Sequence, residues 1–204
     1  MTMSQTPLLL SRILGRGAQL DPNEEIVTLM ANGTHRQTLK ATWDRANQLA
    51  AALKAHGIKE GDRVASFMWN NYRHLELYQA VPSMGAVLHT LNIRLGPADL
   101  EYIINHAQDR IIFADEDLLP LLEPLLNKMP SVEKIIICRH GEEGETGFAS
   151  TEDYEAFIGS HPTDFDWPDS NENAPMGLCY TSGTTGKPKG VMYTHRSTYL
   201  HTIN

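Results

Sequence analysis

The chain has 204 residues, of which 41% are hydrophobic and 21% are charged, and its formal net charge is −8. These values are typical of a globular protein with a sizeable core, and no apolar run approaches the length of a membrane span. No basic stripe interleaved with aromatic residues occurs, which argues against nucleic-acid binding. The charge is uneven: residues 141–173 contain ten acidic and no Lys or Arg residues, whereas 17 basic and 15 acidic residues lie elsewhere.

The cysteines and the N-terminus bear on the compartment. Cys138 and Cys179 lie in apolar, strand-like runs, which predicts buried free thiols. The nine histidines form no short metal-ligand motif with them. The N-terminus carries Arg12 and Arg16 and no acid before Asp21, as transit peptides do, but an amphipathic first helix is the preferred interpretation. With no signal peptide recognised, these features predict a reducing, cytoplasmic location.

The first 60 residues predict a helix, a hairpin and a second helix. Residues 8–19 suit a short helix. Two strand-like runs then flank Asn32-Gly33, which is a strong hairpin signal. Thr42 is a candidate N-cap for the second helix, and Gly57 is a candidate C′ residue at its end.

From residue 63 onward, strand-like and helix-like segments alternate. The predicted strands are residues 63–69, 85–91, 110–114, 133–138 and 174–180. The first predicted helix spans residues 73–84. The second begins at Gly96-Pro97 and has Leu100, Ile103, Ile104 and Ala107 on one face. The third spans residues 116–129 and is interrupted by Pro120 and Pro124. Apolar strands that alternate with helices predict an α/β fold with a largely parallel or mixed sheet flanked by helices.

The acidic segment 141–173 interrupts this alternation. Its composition predicts a flexible, solvated connection, within which residues 151–158 form a short helix capped by Thr151. Another helix is predicted to begin at His195 and to continue toward Asn204.

One stretch near the end of the chain points to a function. Residues 180–191 read YTSGTTGKPKGV. They contain three glycines (Gly183, Gly186, Gly190), four hydroxyl side chains (Thr181, Ser182, Thr184, Thr185) and two lysines (Lys187, Lys189) around Pro188. Glycines allow tight turns that present backbone N–H groups, and hydroxyl and ammonium groups add donors, so the stretch predicts a phosphate-binding loop. The alternative is a surface hairpin with solvated side chains.

Two common phosphate motifs do not match this loop. A Walker A loop needs Gly-Lys-Ser/Thr after an upstream Gly, but Gly186-Lys187 is followed by Pro188 and the upstream position is Thr181. The dinucleotide motif G-x-G-x-x-G fails because Thr185 occupies its second glycine position.

Residues 181–191 instead resemble the phosphate-binding signature of the AMP-forming adenylating enzymes, which include acyl-CoA synthetases, luciferases and non-ribosomal adenylation domains. Residues 61–65, 69–81 and 85–95 are similar to acyl-CoA synthetases, most of all to those for medium- and long-chain fatty acids. The resemblance covers essentially the whole chain. It implies that residues 1–204 form the N-terminal portion of the family's large adenylation domain, without the family's C-terminal domain.

The resemblance also implies a chemistry. A fatty acid or other carboxylate attacks ATP to give an acyl-adenylate and pyrophosphate, and CoA then displaces AMP to form a thioester. ATP, Mg²⁺ and CoA are the implied cofactors and co-substrates, and a homodimer is an implied assembly. The chain carries none of the family's catalytic residues, so the expectation is an N-terminal fragment that is inactive alone.

The implied site residues all belong to the loop. The resemblance assigns the ATP phosphates to Thr181, Ser182, Gly183, Thr184, Thr185, Gly186 and Lys189. It gives Thr181 a contact with Mg²⁺, and Lys187 is expected to be solvated.

Two other readings of the chain stay open. One is a stand-alone protein of the same fold that only scaffolds or oligomerises. The other is an unrelated ATPase with a divergent phosphate loop, which would need a general base or water-positioning residue that the sequence does not nominate.

Overall fold

The computed structural model describes residues 6–30, 33–140, 151–181 and 186–203. The strands in these ranges are β1 Glu25–Met30, β2 Gly33–Thr38, β3 Arg63–Phe67, β4 Val87–Thr90, β5 Ile111–Asp115, β6 Lys134–Cys138, β7 Thr151–Asp153, β8 Pro175–Thr181 and β9 Lys189–Thr194. The α-helices are α1 Leu10–Leu20, α2 Leu39–Ala55, α3 Tyr72–Ser83, α4 Pro97–Ala107, α5 Leu119–Leu122, α6 Tyr154–Gly159 and α7 His195–Thr202. Among the described residues, no helix combines the length and apolarity that crossing a membrane requires.

Strands β3 to β9 form one sheet in the order β7-β6-β5-β3-β4-β8-β9. Its neighbouring strands run parallel, except that β9 is antiparallel to β8. Strands β1 and β2 form a separate antiparallel hairpin. The α/β prediction of a largely parallel, mixed sheet is therefore confirmed.

The strands are apolar throughout because both faces of the sheet are covered. On one face, α2, α3 and α6 pack against Val64, Leu88, Phe113 and Ile136. On the other face, α4 and the segment 118–129 pack against neighbouring residues of the same strands, such as Ala65. Successive residues of a strand point to opposite faces, so each strand contributes to both cores.

Several local predictions are confirmed. All four residues predicted for the buried face of α4 are buried. Gly57 has φ +94°, which suits the left-handed position that follows a helix. Residues 116–128 form only short helical pieces, because Pro120 and Pro124 remove backbone donors.

Two predicted N-caps are wrong. Helix α2 begins three residues earlier than Thr42, and the hydroxyl of Thr38 accepts the hydrogen bond from Ala41 N at 3.1 Å. Thr42 lies inside the helix, where its hydroxyl donates to the carbonyl of Thr38. Thr151 is likewise not a cap, because it begins strand β7, and the carboxylate of Asp153 caps α6 by accepting from Glu155 N and Ala156 N.

The acidic segment is also more than a connection. Residues 141–150 lie outside the described residues, but Tyr154, Phe157 and Ile158 of α6 are buried, and Phe165 and Trp167 pack against the same core. The prediction of a solvated segment is thus wrong for Tyr154, Phe157 and Ile158. Cys138 is a buried free thiol as predicted, whereas Cys179 is only partly buried.

A buried histidine joins the start of α1 to the start of α7. His195 is 1% exposed, and its Nδ1 accepts a hydrogen bond from Leu10 N at 3.5 Å. Burial disfavours the charged imidazolium and lowers the pKa of His195 below its ordinary value of 6.5. The neutral ring is therefore part of the folded state.

This burial predicts acid destabilisation. Because the folded-state pKa of His195 is lowered, the unfolded chain binds a proton that the folded chain does not. The contribution of neutral His195 to the free energy of unfolding is fully present above about pH 6.5. It is lost as the pH falls toward the folded-state pKa, by at most about 1.4 kcal/mol per pH unit. Urea unfolding between pH 7.5 and 5.5 should show a smaller loss of stability in His195→Gln than in the wild type. The exposed His201→Gln is the control, and equal pH slopes for wild type and His195→Gln would contradict this account.

Candidate functional site

The two described ends of the predicted phosphate loop lie at the carboxyl edge of the sheet. Strand β8 runs parallel to β4, so its last residue, Thr181, is at the same edge as the ends of β3, β4 and β5. Ligands of open α/β sheets bind in crevices outside this edge. Gly177 opposes Leu88 in the ladder, and a Cβ added at Gly177 would lie 3.7 Å from the Leu88 carbonyl oxygen, which is an ordinary contact.

Thr181 and Lys189 come together at the two ends of the loop. They are directly opposed in the antiparallel β8–β9 ladder, and both are exposed. Opposed residues in such a ladder have neighbouring side chains on one face of the sheet. Lys189 makes no ion pair with any described residue, so none of the described carboxylates competes with an anionic ligand for its ammonium group.

The remaining predicted site residues divide into two groups. Gly186 is described and has φ +147°, a backbone conformation that L side chains rarely adopt. Ser182, Gly183, Thr184 and Thr185 lie outside the described residues. The assignment of the whole loop to ATP phosphates therefore stays a prediction.

Lys187 is exposed, as expected. Its Nζ also lies 4.9 Å from the ring centroid of Tyr102 on α4. This distance is within the range of a cation–π interaction. The two lysines of the loop thus occupy different places, Lys187 over α4 and Lys189 opposite Thr181.

A buried histidine–aspartate pair lies beside the strand that carries the loop. His89 and Asp109 are fully buried, and His89 Nδ1 lies 2.8 Å from an Asp109 carboxylate oxygen. Burial raises the pKa of Asp109, although the hydrogen bond with His89 opposes that shift. The His89 ring lies 5.1 Å from the Tyr180 ring. The sequence did not point to this pair, because 20 residues separate its members and neither belongs to a motif.

A second polar cluster lies between the carboxyl ends of β3 and β5. Here the strand order reverses, because β4 and β5 lie on opposite sides of β3. Ligand atoms of Asp115, Asp117 and His140 lie within 4.8 Å of one another. Asp115 is fully buried and accepts hydrogen bonds from Trp69 N and the Asn71 side-chain amide. Through these hydrogen bonds Asp115, at the end of β5, links to the segment that follows β3. They account for its burial.

Fold and site together define an α/β nucleotide-binding type of domain, with a glycine-, hydroxyl- and lysine-rich loop at the carboxyl edge of a parallel sheet. The family model described as "AMP-binding enzyme" matches residues 16–204. The chain belongs to this family of AMP-binding enzymes.

Curated relatives of this chain are acyl-CoA ligases. It is 40% identical to the 3-methylmercaptopropionyl-CoA ligase of Ruegeria pomeroyi, over 98% of this chain and 38% of that protein. It is 40% identical to the long-chain-fatty-acid–CoA ligase of Thermus thermophilus, over 99% of this chain and 36% of that protein. The medium-chain-fatty-acid–CoA ligase of Ectopseudomonas oleovorans is 37% identical, over 98% of this chain and 37% of that protein. The chain thus spans less than two fifths of the length of these relatives.

Solved structures agree with the fold. The crystal structure of an anthranilate–CoA ligase in complex with anthranoyl-AMP matches with a TM-score of 0.82 and 27% identity, over 96% of this chain and 37% of that one. A Mycobacterium tuberculosis fatty acyl-CoA synthetase matches in fold with a TM-score of 0.77 at 22% identity, over 92% and 35%.

Proposed function

We propose that this chain supplies the triphosphate-binding part of an AMP-forming acyl-CoA ligase. The carrying observation is the pair Thr181 and Lys189, exposed and directly opposed at the two ends of the loop. The family membership and the acyl-CoA ligase relatives favour this chemistry over other uses of a phosphate loop.

The proposed reaction has two steps. A carboxylate oxygen attacks the α-phosphorus of ATP, the bond to the β-phosphate oxygen breaks, and pyrophosphate leaves. The sulfur of CoA then attacks the carbonyl carbon of the acyl-adenylate, its proton is lost, and AMP leaves. A carboxylate is a poor nucleophile, so negative charge that develops on the departing pyrophosphate must be stabilised. Lys189 and the N–H and hydroxyl groups of residues 181–186 are proposed to do this.

Mg²⁺ fits the described part of the site. This ion is commonly held by substrate phosphates, waters and one or two protein oxygens, and the exposed Thr181 hydroxyl offers one such oxygen at the loop entrance. Bound there, Mg²⁺ would neutralise charge on the phosphates.

The proposed acyl substrate is an aliphatic carboxylate. The relatives' names specify 3-methylmercaptopropionyl, medium-chain and long-chain fatty acyl groups, so their common feature is an aliphatic acid. The test is pyrophosphate release by the complete gene product with ATP, Mg²⁺ and a panel of 3-methylthiopropionate, octanoate and palmitate. Release that depends on one of these acids is expected, and no release with any carboxylate would contradict the proposal.

A homodimer in the cytoplasm is part of the same proposal, because it is the assembly and location that the family resemblance suggests. Light scattering of the complete gene product tests the dimer, and cell fractionation tests the location. A monomer at micromolar concentration, or recovery with the membrane fraction, would contradict the respective statement.

A further inference from the structure

Helix α4 contacts the chain on both sides of the phosphate loop. The hydroxyl of Tyr180, which precedes residues 181–186 of the loop, lies 2.6 Å from His106 Nδ1. The ammonium of Lys187, which follows residues 181–186, lies 4.9 Å from the ring centroid of Tyr102. Tyr102 and His106 are four residues apart, so they share one face of the helix, and their ring centroids are 5.4 Å apart. We call Tyr102 and His106 the α4 contact pair.

The contact on the Tyr180 side is well defined. The Tyr180 ring packs against the buried cluster of Val87, Ala107 and Leu178 and meets the His106 ring edge-on, with centroids 5.8 Å apart. Burial, with a further contribution from nearby Asp109, raises the pKa of Tyr180 above its ordinary value of 10. The phenol therefore stays protonated at neutral pH and keeps a hydrogen bond with His106 available.

Gly190 leaves room for this arrangement. It opposes Tyr180 in the β8–β9 ladder. A Cβ at Gly190 would come within 3.3 Å of the Tyr180 ring carbon Cζ and within 3.1 Å of Leu178 Cδ1. Both distances are tighter than ordinary contacts, so a side chain here would press on the ring that meets His106. The third glycine of the signature thus has a packing role beside the strand.

We propose that Tyr102 and His106 are positioning residues, which hold the two ends of the phosphate loop against α4 and so set the affinity for the ATP triphosphate. The inference rests on the proposed function. Neither residue touches the phosphates in this account. Tyr102 acts through Lys187, whose ammonium it keeps over α4, and His106 acts through Tyr180, the residue directly before Thr181.

The Tyr102 arm is tested by a double-mutant cycle with Tyr102→Leu and Lys187→Met in the complete gene product. An exposed cation–π contact predicts that each single variant raises the KM for ATP about 2- to 5-fold, with kcat within about 2-fold. Because both changes remove one contact, the double variant should be no worse than either single variant. Tyr102→Phe keeps the ring and should restore the wild-type KM. Independent, multiplying effects, or an unchanged KM in both single variants, would overturn the role of Tyr102.

The His106 arm uses Tyr180→Phe and His106→Leu in the same way. Loss of one hydrogen bond predicts a rise in the KM for ATP of roughly 2- to 10-fold, again without a further loss in the double variant. Glu101→Gln is the matched control, since this neighbouring α4 residue pairs with Lys128 instead of the loop. Binding of a non-hydrolysable ATP analogue should weaken by the same factors as the KM rises, and the melting temperature of each variant checks its folding.

The outcomes separate the two proposals. If the wild type releases no pyrophosphate with any carboxylate, the proposed function and the positioning role both fail. If the wild type is active but neither arm changes the KM for ATP, only the positioning role fails. The positioning role would be supported if the variants of both double-mutant cycles raise the KM for ATP while Glu101→Gln keeps the wild-type value.

Discussion

Replacing Glu76 by alanine is expected to lower the free energy of unfolding by about 3–5 kcal/mol. The carboxylate is fully buried and pairs with Arg45, whose Nε lies 2.7 Å away. Its oxygens also accept hydrogen bonds from the Tyr154 hydroxyl at 2.6 Å and from the Gln37 amide at 3.1 Å. Alanine would leave the Arg45 charge and the buried Tyr154 hydroxyl without this acceptor, and that loss of compensation is the main cost.

Glu155→Gln is the matched comparison, because Glu155 also pairs with Arg45 but its side chain is 44% exposed. Water can take over the hydrogen bonds that an exposed carboxylate makes to an arginine. The expected loss in the free energy of unfolding is therefore below about 1 kcal/mol. Urea unfolding followed by circular dichroism measures both variants. If Glu76→Ala costs no more than Glu155→Gln, the network centred on Glu76 does not hold α2, α3 and α6 together as described.

Replacing Lys189 by alanine is expected to lower kcat/KM for ATP on the order of 10- to 100-fold in pyrophosphate release. The residue is exposed opposite Thr181 and makes no ion pair with the described residues. Its charge is proposed to act on the phosphates, where negative charge increases as pyrophosphate leaves. An interaction that strengthens in the transition state lowers kcat as well as raising KM when it is removed.

The controls for Lys189 use other cations of the chain. Lys59→Ala changes an exposed turn on the opposite edge of the sheet and should leave kcat/KM within about 2-fold of the wild type. Lys187→Met should raise the KM for ATP with little effect on kcat, because Lys187 contacts Tyr102. A Lys189→Ala enzyme with the wild-type rate would remove Lys189 from the site.

Local patterns were sufficient to predict most of the sheet and its helices. Strands such as β5 and β6 are continuous apolar runs because they are covered on both faces. Helix α4 could be predicted because its buried residues follow helical spacing. The end of α2 could be predicted because residue 57 is a glycine, which takes the positive φ that follows a helix. These features depend on residues close together in the chain.

Features that depend on distant partners could not be predicted. Strand β7 is short and polar, so its residues were predicted as the start of a helix. The burial of Tyr154 depends on Glu76, which is 78 residues away. Thr38 was missed as a cap because Thr42 is an equally good hydroxyl candidate, and only the hairpin's end point decides between them.

The candidate site shows the same division. The signature predicted the phosphate loop and the family, since its glycines, hydroxyls and lysines are consecutive. The α4 contact pair was not predicted, because His106 and Tyr180 are 74 residues apart and lie together only through the fold. The position of Lys187 over Tyr102 was missed for the same reason.

The most direct test of the central claim follows an oxygen atom. The complete gene product would be incubated with ATP, Mg²⁺, CoA and a carboxylic acid labelled with ¹⁸O in both carboxyl oxygens. Attack of the carboxylate on the α-phosphorus predicts that one labelled oxygen leaves with AMP, and mass spectrometry of the nucleotide detects it. Unlabelled AMP, or ADP and inorganic phosphate as the products, would contradict an acyl-adenylate and with it the function proposed for this chain.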